Sequence, residues 1–214
     1  LDSIKRIERE AFNYCEELKE VIVGENSNIE FVGNRAFAYT KITNADFAQM
    51  AELGNGAFRK TMVTSFAFTK NQKIIPGYLF TDCKNLSEIS FEDGVITIGP
   101  GAFENTAVKN VVMPDSIVDF GGSTFEDCKE LETVVISKHT EYIREWAFSR
   151  CEKLYKVTWN RIGNKEILYQ AFQYCTSLKD FTFEDITCID EGAFDETGIT
   201  DVKLTLSNLE TQAV

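Results

Sequence analysis

Six cysteines and a single histidine are the side chains of this sequence with the most chemistry to offer. A thiol beside an imidazole can act as a nucleophile, two thiols can form a disulfide, and thiols with histidine can hold zinc. The spacing argues against each. Cys15, Cys83, Cys128, Cys151 and Cys175 occupy one position of a repeat, so their side chains point inward in parallel. A disulfide needs Cβ vectors that face each other. No Cys-x-x-Cys or Cys/His spacing supports zinc. Thr40, Thr61, Thr106 and Thr197 take the same position in other units, which points to a small corner residue facing backbone groups. Cys188 stands outside this column. His139 lies in Ser137-Lys138-His139-Thr140, a turn after an apolar run, and Cys128 and Cys151, its nearest cysteines in sequence, belong to the inward column. The expectation is six free thiols, no catalytic residue, no metal and no cofactor. No glycine-rich phosphate loop is present. Asn85-Leu86-Ser87 matches a glycosylation sequon, but Leu86 belongs to the inward pattern.

The repeat that places the cysteines is carried by phenylalanine. Phe12, Phe37, Phe58, Phe80, Phe103, Phe125, Phe148, Phe172 and Phe194 recur about every 23 residues, seven of them after Ala. Five residues before each stands an apolar residue, such as Ile98 or Ile143. After the Cys/Thr corner comes an aliphatic residue, three positions after Cys but two after Thr. Two more apolar columns follow, two residues apart, as in Val134-Val135-Ile136 and Phe181-Thr182-Phe183. The last member of the second column is Leu204. All but Phe31 of the 17 Phe fall in these columns, so the aromatic richness is core and not a sugar-stacking platform.

Two-residue spacing reads as a short strand with alternate residues inward. The stretch from Ile98 through Phe103 to Thr106 suits a turn followed by a short helix or 3-10 segment. Gly33, Gly54, Gly99 and Gly121, four residues before the Phe, suggest a tight turn at positive φ. Ala before the Phe suits close approach of adjacent coils. One unit cannot bury its own apolar side, but stacked units cover one another. The expected fold is an α/β solenoid of about nine units with a narrow parallel sheet on one face. It forms one domain over residues 1–214, with a tail at 207–214.

The unit Ile-Gly-x-x-Ala-Phe-x-x-Cys-x-x-Leu-x-x-Val-x-Ile strongly resembles the BspA-like, treponemal-type class of leucine-rich repeats, from residue 4 to about 206. That resemblance implies a curved right-handed solenoid with its strands on the concave face. It also implies a surface or secreted protein of a host-associated bacterium that adheres to host proteins or cells. The chain departs from the pattern at residues 29–68, which are irregular in length. Pro114 alone keeps the proline common after the strand.

The chain has 214 residues, a net charge of -12, 43% hydrophobic and 26% charged residues, which fits a globular protein and excludes a disordered one. Strong negative charge argues against a nucleic-acid partner. No apolar run is long enough to cross a membrane as a helix. The chain begins at Leu1, not Met, and reads as a trimmed fragment.

A binding function would use the outward residues of the strands. The residue between each inward pair is Ile22, Asp46, Ala67, Ser90, Val112, Val135, Thr158, Thr182 or Lys203. Flanking residues on the same face include Glu20, Glu88, Glu92, Thr133, Lys156, Asp180, Glu184 and Asp201. Across the 27 such positions seven are acidic and two basic, with Val112 and Val135 as an apolar centre. The expected protein is a non-enzymatic module that grips a protein or other macromolecule with this face. Basic partners suit it. The alternative is a spacer domain of a larger surface protein with no binding role of its own.

Overall fold

The structure, a computed structural model, describes residues 4–24, 28–49, 51–161 and 163–203. Leu204 and the tail 207–214 lie outside the described residues. In chain order the strands are β1 (Arg6–Ile7), β2 (Phe31–Val32), β3 (Glu52–Leu53), β4 (Ser65–Phe68), β5 (Ile74–Ile75), β6 (Glu88–Phe91) and β7 (Thr97–Ile98). There follow β8 (Asn110–Val112), β9 (Asp119–Phe120), β10 (Thr133–Ile136), β11 (Tyr142–Ile143), β12 (Lys156–Trp159), β13 (Lys165–Ile167) and β14 (Ile186–Ile189). All pair in parallel, each with the equivalent strand of a neighbouring coil.

The chain therefore winds as a solenoid, as the repeat requires. The helix content differs from expectation. Among the described residues the one helical element is a 3-10 turn at Asp46–Ala48. The stretch before each Phe, read from sequence as turn plus helix, begins instead with a strand. All nine units contribute one, in the ladders β1–β2–β3, β5–β7–β9 and β11–β13–β14. Most of these strands are two residues long, too short for alternation to show, which is why the pattern concealed them.

The segment around each Phe is bound to the next coil by backbone alone. The N–H of Phe37 donates to the Ala57 carbonyl, that of Phe80 to Ala102 and that of Phe125 to Ala147, at 2.8–2.9 Å. The residues two before and two after the Phe donate forward in the same way, as Ser123 does to Glu145 and Asp127 to Ser149. Those two positions carry positive φ in all nine units. Gly occupies only three of the eighteen, Gly56, Gly101 and Gly192, and the others include Tyr78, Asn105 and Trp146. Strain at non-glycine residues in this region is offset here by the forward hydrogen bonds.

Gly33, Gly54, Gly99 and Gly121 do not have positive φ, contrary to expectation. Their requirement is space. A Cβ on any of them would lie 2.4–2.6 Å from backbone atoms of the preceding coil. At these four positions the neighbouring coil leaves no room for a Cβ.

The core runs along the axis. Phe12 to Phe194 form one continuous ring stack, with neighbouring centroids 5.2–6.2 Å apart and planes within 14°. Offset stacking adds to burial for each pair. The seven interior rings are buried, while Phe12 is 40% exposed and Phe194 partly buried. Ala36, Ala57, Ala102, Ala147, Ala171 and Ala193 are buried beside them.

Candidate functional site

The cysteine column is a structural corner. Cys83, Cys128, Cys151 and Cys175 are buried, and Cys15 and Cys188 are exposed; all six are free thiols. Each buried thiol donates to the Phe carbonyl of the preceding coil, at 3.0–3.1 Å. The threonines reach the Phe carbonyl of their own coil, at 2.9 Å. The extra residue in a Cys unit closes a turn in which the aliphatic N–H bonds the Cys carbonyl, as in Leu86 to Cys83. In a Thr unit the next N–H goes straight to the previous coil, as in Ala107 to Leu86. Burial pushes the Cys83 and Cys128 thiols up to about 11 and Cys175 up to about 12, and raises Cys151 strongly. Such thiols are poor nucleophiles at neutral pH.

His139 is exposed, and its Nδ1 lies 2.7 Å from the Asp115 carbonyl. The neighbouring Lys138 ammonium holds Asp115 below the usual carboxylate range. Among the described residues no group of three or more His, Cys, Asp or Glu is placed to hold a metal. No described helix is long and apolar enough to cross a membrane.

The strand face is divided, not continuous. β4 pairs with β6, and β8, β10 and β12 pair together, but the described segments of the first, second, eighth and ninth coils add no strand. Unequal corners do not by themselves break the ladder, since β4, after Thr61, pairs with β6, after Cys83, and β8, after Thr106, with β10, after Cys128. The coil at Asp46 makes its 3-10 turn instead of a strand.

Glu88 and Ser90 lie on β6, Val112 on β8, Thr133 and Val135 on β10, and Lys156 and Thr158 on β12. Glu20, Ile22, Glu92, Asp180, Thr182, Glu184, Asp201 and Lys203 lie outside described strands. The face residues point outward as expected: all of these are exposed except Thr133 and Thr158, which are half-buried. Val112 is 64% and Val135 36% exposed, and the two are direct cross-strand partners. Thr133 donates to the Asn110 side chain at 2.6 Å beside them. Glu92 is partly engaged, accepting the Lys70 N–H at 2.9 Å. Ala48 and Ser137, flanking positions of the same pattern, are buried instead. Val202, in an inward column, is exposed.

Sequence reasoning missed an opening at the far end of this face. A cleft of about 990 Å³ lies between β12 and residues 179–185, lined among others by Lys156, Thr158, Lys179, Asp180, Thr182 and Lys203. Trp159 and Lys165 stand at its floor. The Trp159 indole N–H turns back to the Thr140 carbonyl, and the buried Lys165 ammonium reaches the Glu184 carbonyl at 3.0 Å.

A family model described as the BspA type leucine rich repeat region matches in six copies, over residues 1–109, 51–162 and 97–213. No curated protein matches the sequence. A leucine-rich repeat protein from Bacteroides ovatus is 21% identical, with a TM-score of 0.55 over 91% of this chain and 68% of that one. A leucine rich cell surface protein from Faecalibacterium prausnitzii is 19% identical, with a TM-score of 0.60 over the same shares. A leucine rich repeat protein of T. pallidum is 18% identical, with a TM-score of 0.52 over 82% of this chain and 83% of that one. At these identities the likeness shows the fold. With nearly the whole length matched by the repeat model, the chain belongs to the BspA-type leucine-rich repeat family.

Proposed function

We propose that this chain is a non-enzymatic protein-binding module of a cell-surface or secreted protein, and that its strand face is the binding surface. The observation that carries the reading is the pair Val112 and Val135, two exposed valines side by side on the ordered part of the sheet. Exposed apolar side chains rimmed by polar ones mark contact surfaces. Here the rim is Asn110, Thr133, Lys156 and Thr158, with Glu88 and Glu92 on the adjoining block. The family of stacked repeats lends itself to such surfaces, because outward residues vary without cost to the core. A surface location is supported by the F. prausnitzii relative, described as a cell surface protein. Acidic residues at Glu20, Asp46, Glu88 and Glu92 favour a basic partner segment and would speed its approach.

The test is capture from a mixture of host extracellular proteins by the immobilised chain. The wild type should retain a discrete protein that Val135→Arg does not retain. Equal retention by both, with equal melting temperatures, would remove the face from the account.

A further inference from the structure

We propose that the cleft beside β12 accepts an extended peptide as an added strand. This deepens the strand-face reading and rests on it.

Neighbouring coils with the same corner should keep their strands in register. The sixth and seventh coils both turn at Cys, and β10 and β12 pair over four residues. The eighth coil also turns at Cys175 and carries the same apolar alternation in Phe181-Thr182-Phe183. Yet among the described residues no backbone hydrogen bond joins 155–160 to 178–184. The last link before the gap is Ser177 to Glu152.

Two side chains, Trp159 and Lys165, line the cleft where the ladder ends. Trp159 fills the position that holds Ile136 in the preceding coil. Lys165 is buried with its ammonium 5.6 Å from the Trp159 ring and bonded to the Glu184 carbonyl. Phe181 packs on Phe172 and Phe194, at 5.4 and 5.1 Å between centroids, and Phe183 on Phe194 at 5.3 Å, so both keep the inward direction although their backbone leaves the ladder. β12 is left with one free edge.

The polarity of that edge follows from the ladder. The Lys156 N–H donates to Glu132, toward β10. In a parallel strand the groups alternate in side, so Val157 and Trp159 present their N–H and C=O to the cleft. Four unpaired backbone groups in a row form a template for strand addition. Five cationic and four carboxylate side chains line the cleft, so its charge is nearly balanced and the free backbone edge, not a charge preference, selects an extended peptide.

The probe is a fluorescein-labelled peptide with the sequence of residues 154–160, which in the chain already pairs with a strand edge of this kind. Anisotropy against the whole chain should show saturable binding. Two doubly N-methylated peptides report the pairing. Methylation at the positions of Lys156 and Thr158 blocks one edge of the peptide, and methylation at Val157 and Trp159 blocks the other. A single added strand uses one edge, so one frame should lose at least about tenfold in affinity and the other should bind as before. Val157→Pro in the protein removes an N–H that only the cleft sees, and should weaken binding by a similar factor. No binding, or equal binding by both methylated frames, overturns the proposal. Failure of the strand-face reading has a different signature: Val135→Arg leaves capture of a protein partner unchanged while the peptide still binds.

Discussion

Thr61 and Cys83 share one acceptor. The Thr61 hydroxyl and the Cys83 thiol, on successive coils, both donate to the Phe58 carbonyl, at 2.9 and 3.0 Å, and lie 3.3 Å from each other. Thr106 and Cys128 repeat the arrangement on Phe103, at 2.9 and 3.1 Å. A carbonyl has two lone pairs, so both donors can be satisfied. The interchange of Thr and Cys is thus an exchange between a bond within the coil and a bond to the coil before.

This arrangement predicts graded thiol reactivity. In the native protein Cys15 and Cys188 should react with a thiol reagent, and Cys83, Cys128, Cys151 and Cys175 should not. In denaturant without reductant all six should titrate. Fewer than six, or a melting temperature lowered by reductant, would contradict the free-thiol corner.

The same thiols predict alkaline instability. Burial raises the thiol pKa in the folded state above its unfolded value, to about 11 for Cys83 and Cys128 and about 12 for Cys175. The unfolded chain therefore loses these protons first. The stability they contribute is complete below the unfolded thiol pKa and is lost as pH rises toward 11–12. By pH 10 each should cost roughly 1–2 kcal/mol relative to neutral pH. Denaturant melts at pH 8 and 10 should show a smaller drop for Cys83→Thr than for the wild type.

The stacked rings predict position-dependent costs. Phe103→Ala and Phe125→Ala, each with a ring on both sides, should cost roughly 3–5 kcal/mol. Phe194→Ala should cost less, because its ring is only partly buried. Equal costs measured by denaturant unfolding would argue against a one-dimensional stack.

Two neighbouring positions separate space from strain. Gly121→Ala would put a Cβ 2.4 Å from the Pro100 backbone and should destabilise by roughly 2 kcal/mol or more. Ser123 has a φ of 54°, so Ser123→Gly should be neutral or stabilising by up to about 1 kcal/mol. Equal losses at both sites would mean that close coil approach is not what requires Gly121.

Much of this was legible in the sequence. The Phe, Cys/Thr and strand columns gave the coil, its inward residues and the outward direction of Val112 and Val135. What stayed hidden was backbone. The strands β5, β7 and β9 are too short to leave a periodicity, and the hydrogen bonds around each Phe are made by main chain beneath variable side chains. The pattern places Gly99 and Gly121 at a turn, because a glycine needed for space looks the same in sequence as one needed for φ. The cleft was invisible for a similar reason. Phe181-Thr182-Phe183 has the alternation of Val134-Val135-Ile136, and the difference lies in Trp159 and Lys165, outside that segment.

The strand face as the binding surface is the central claim, and hydrogen–deuterium exchange on a captured complex tests it most directly. The account predicts new protection over residues 110–113 and 133–136, lost or weakened in Val135→Arg and in the pair Glu88→Lys, Glu92→Lys, and unchanged in Arg150→Glu on the Phe side. Protection confined to the Phe side, with binding abolished by Arg150→Glu and untouched by the other variants, would contradict it.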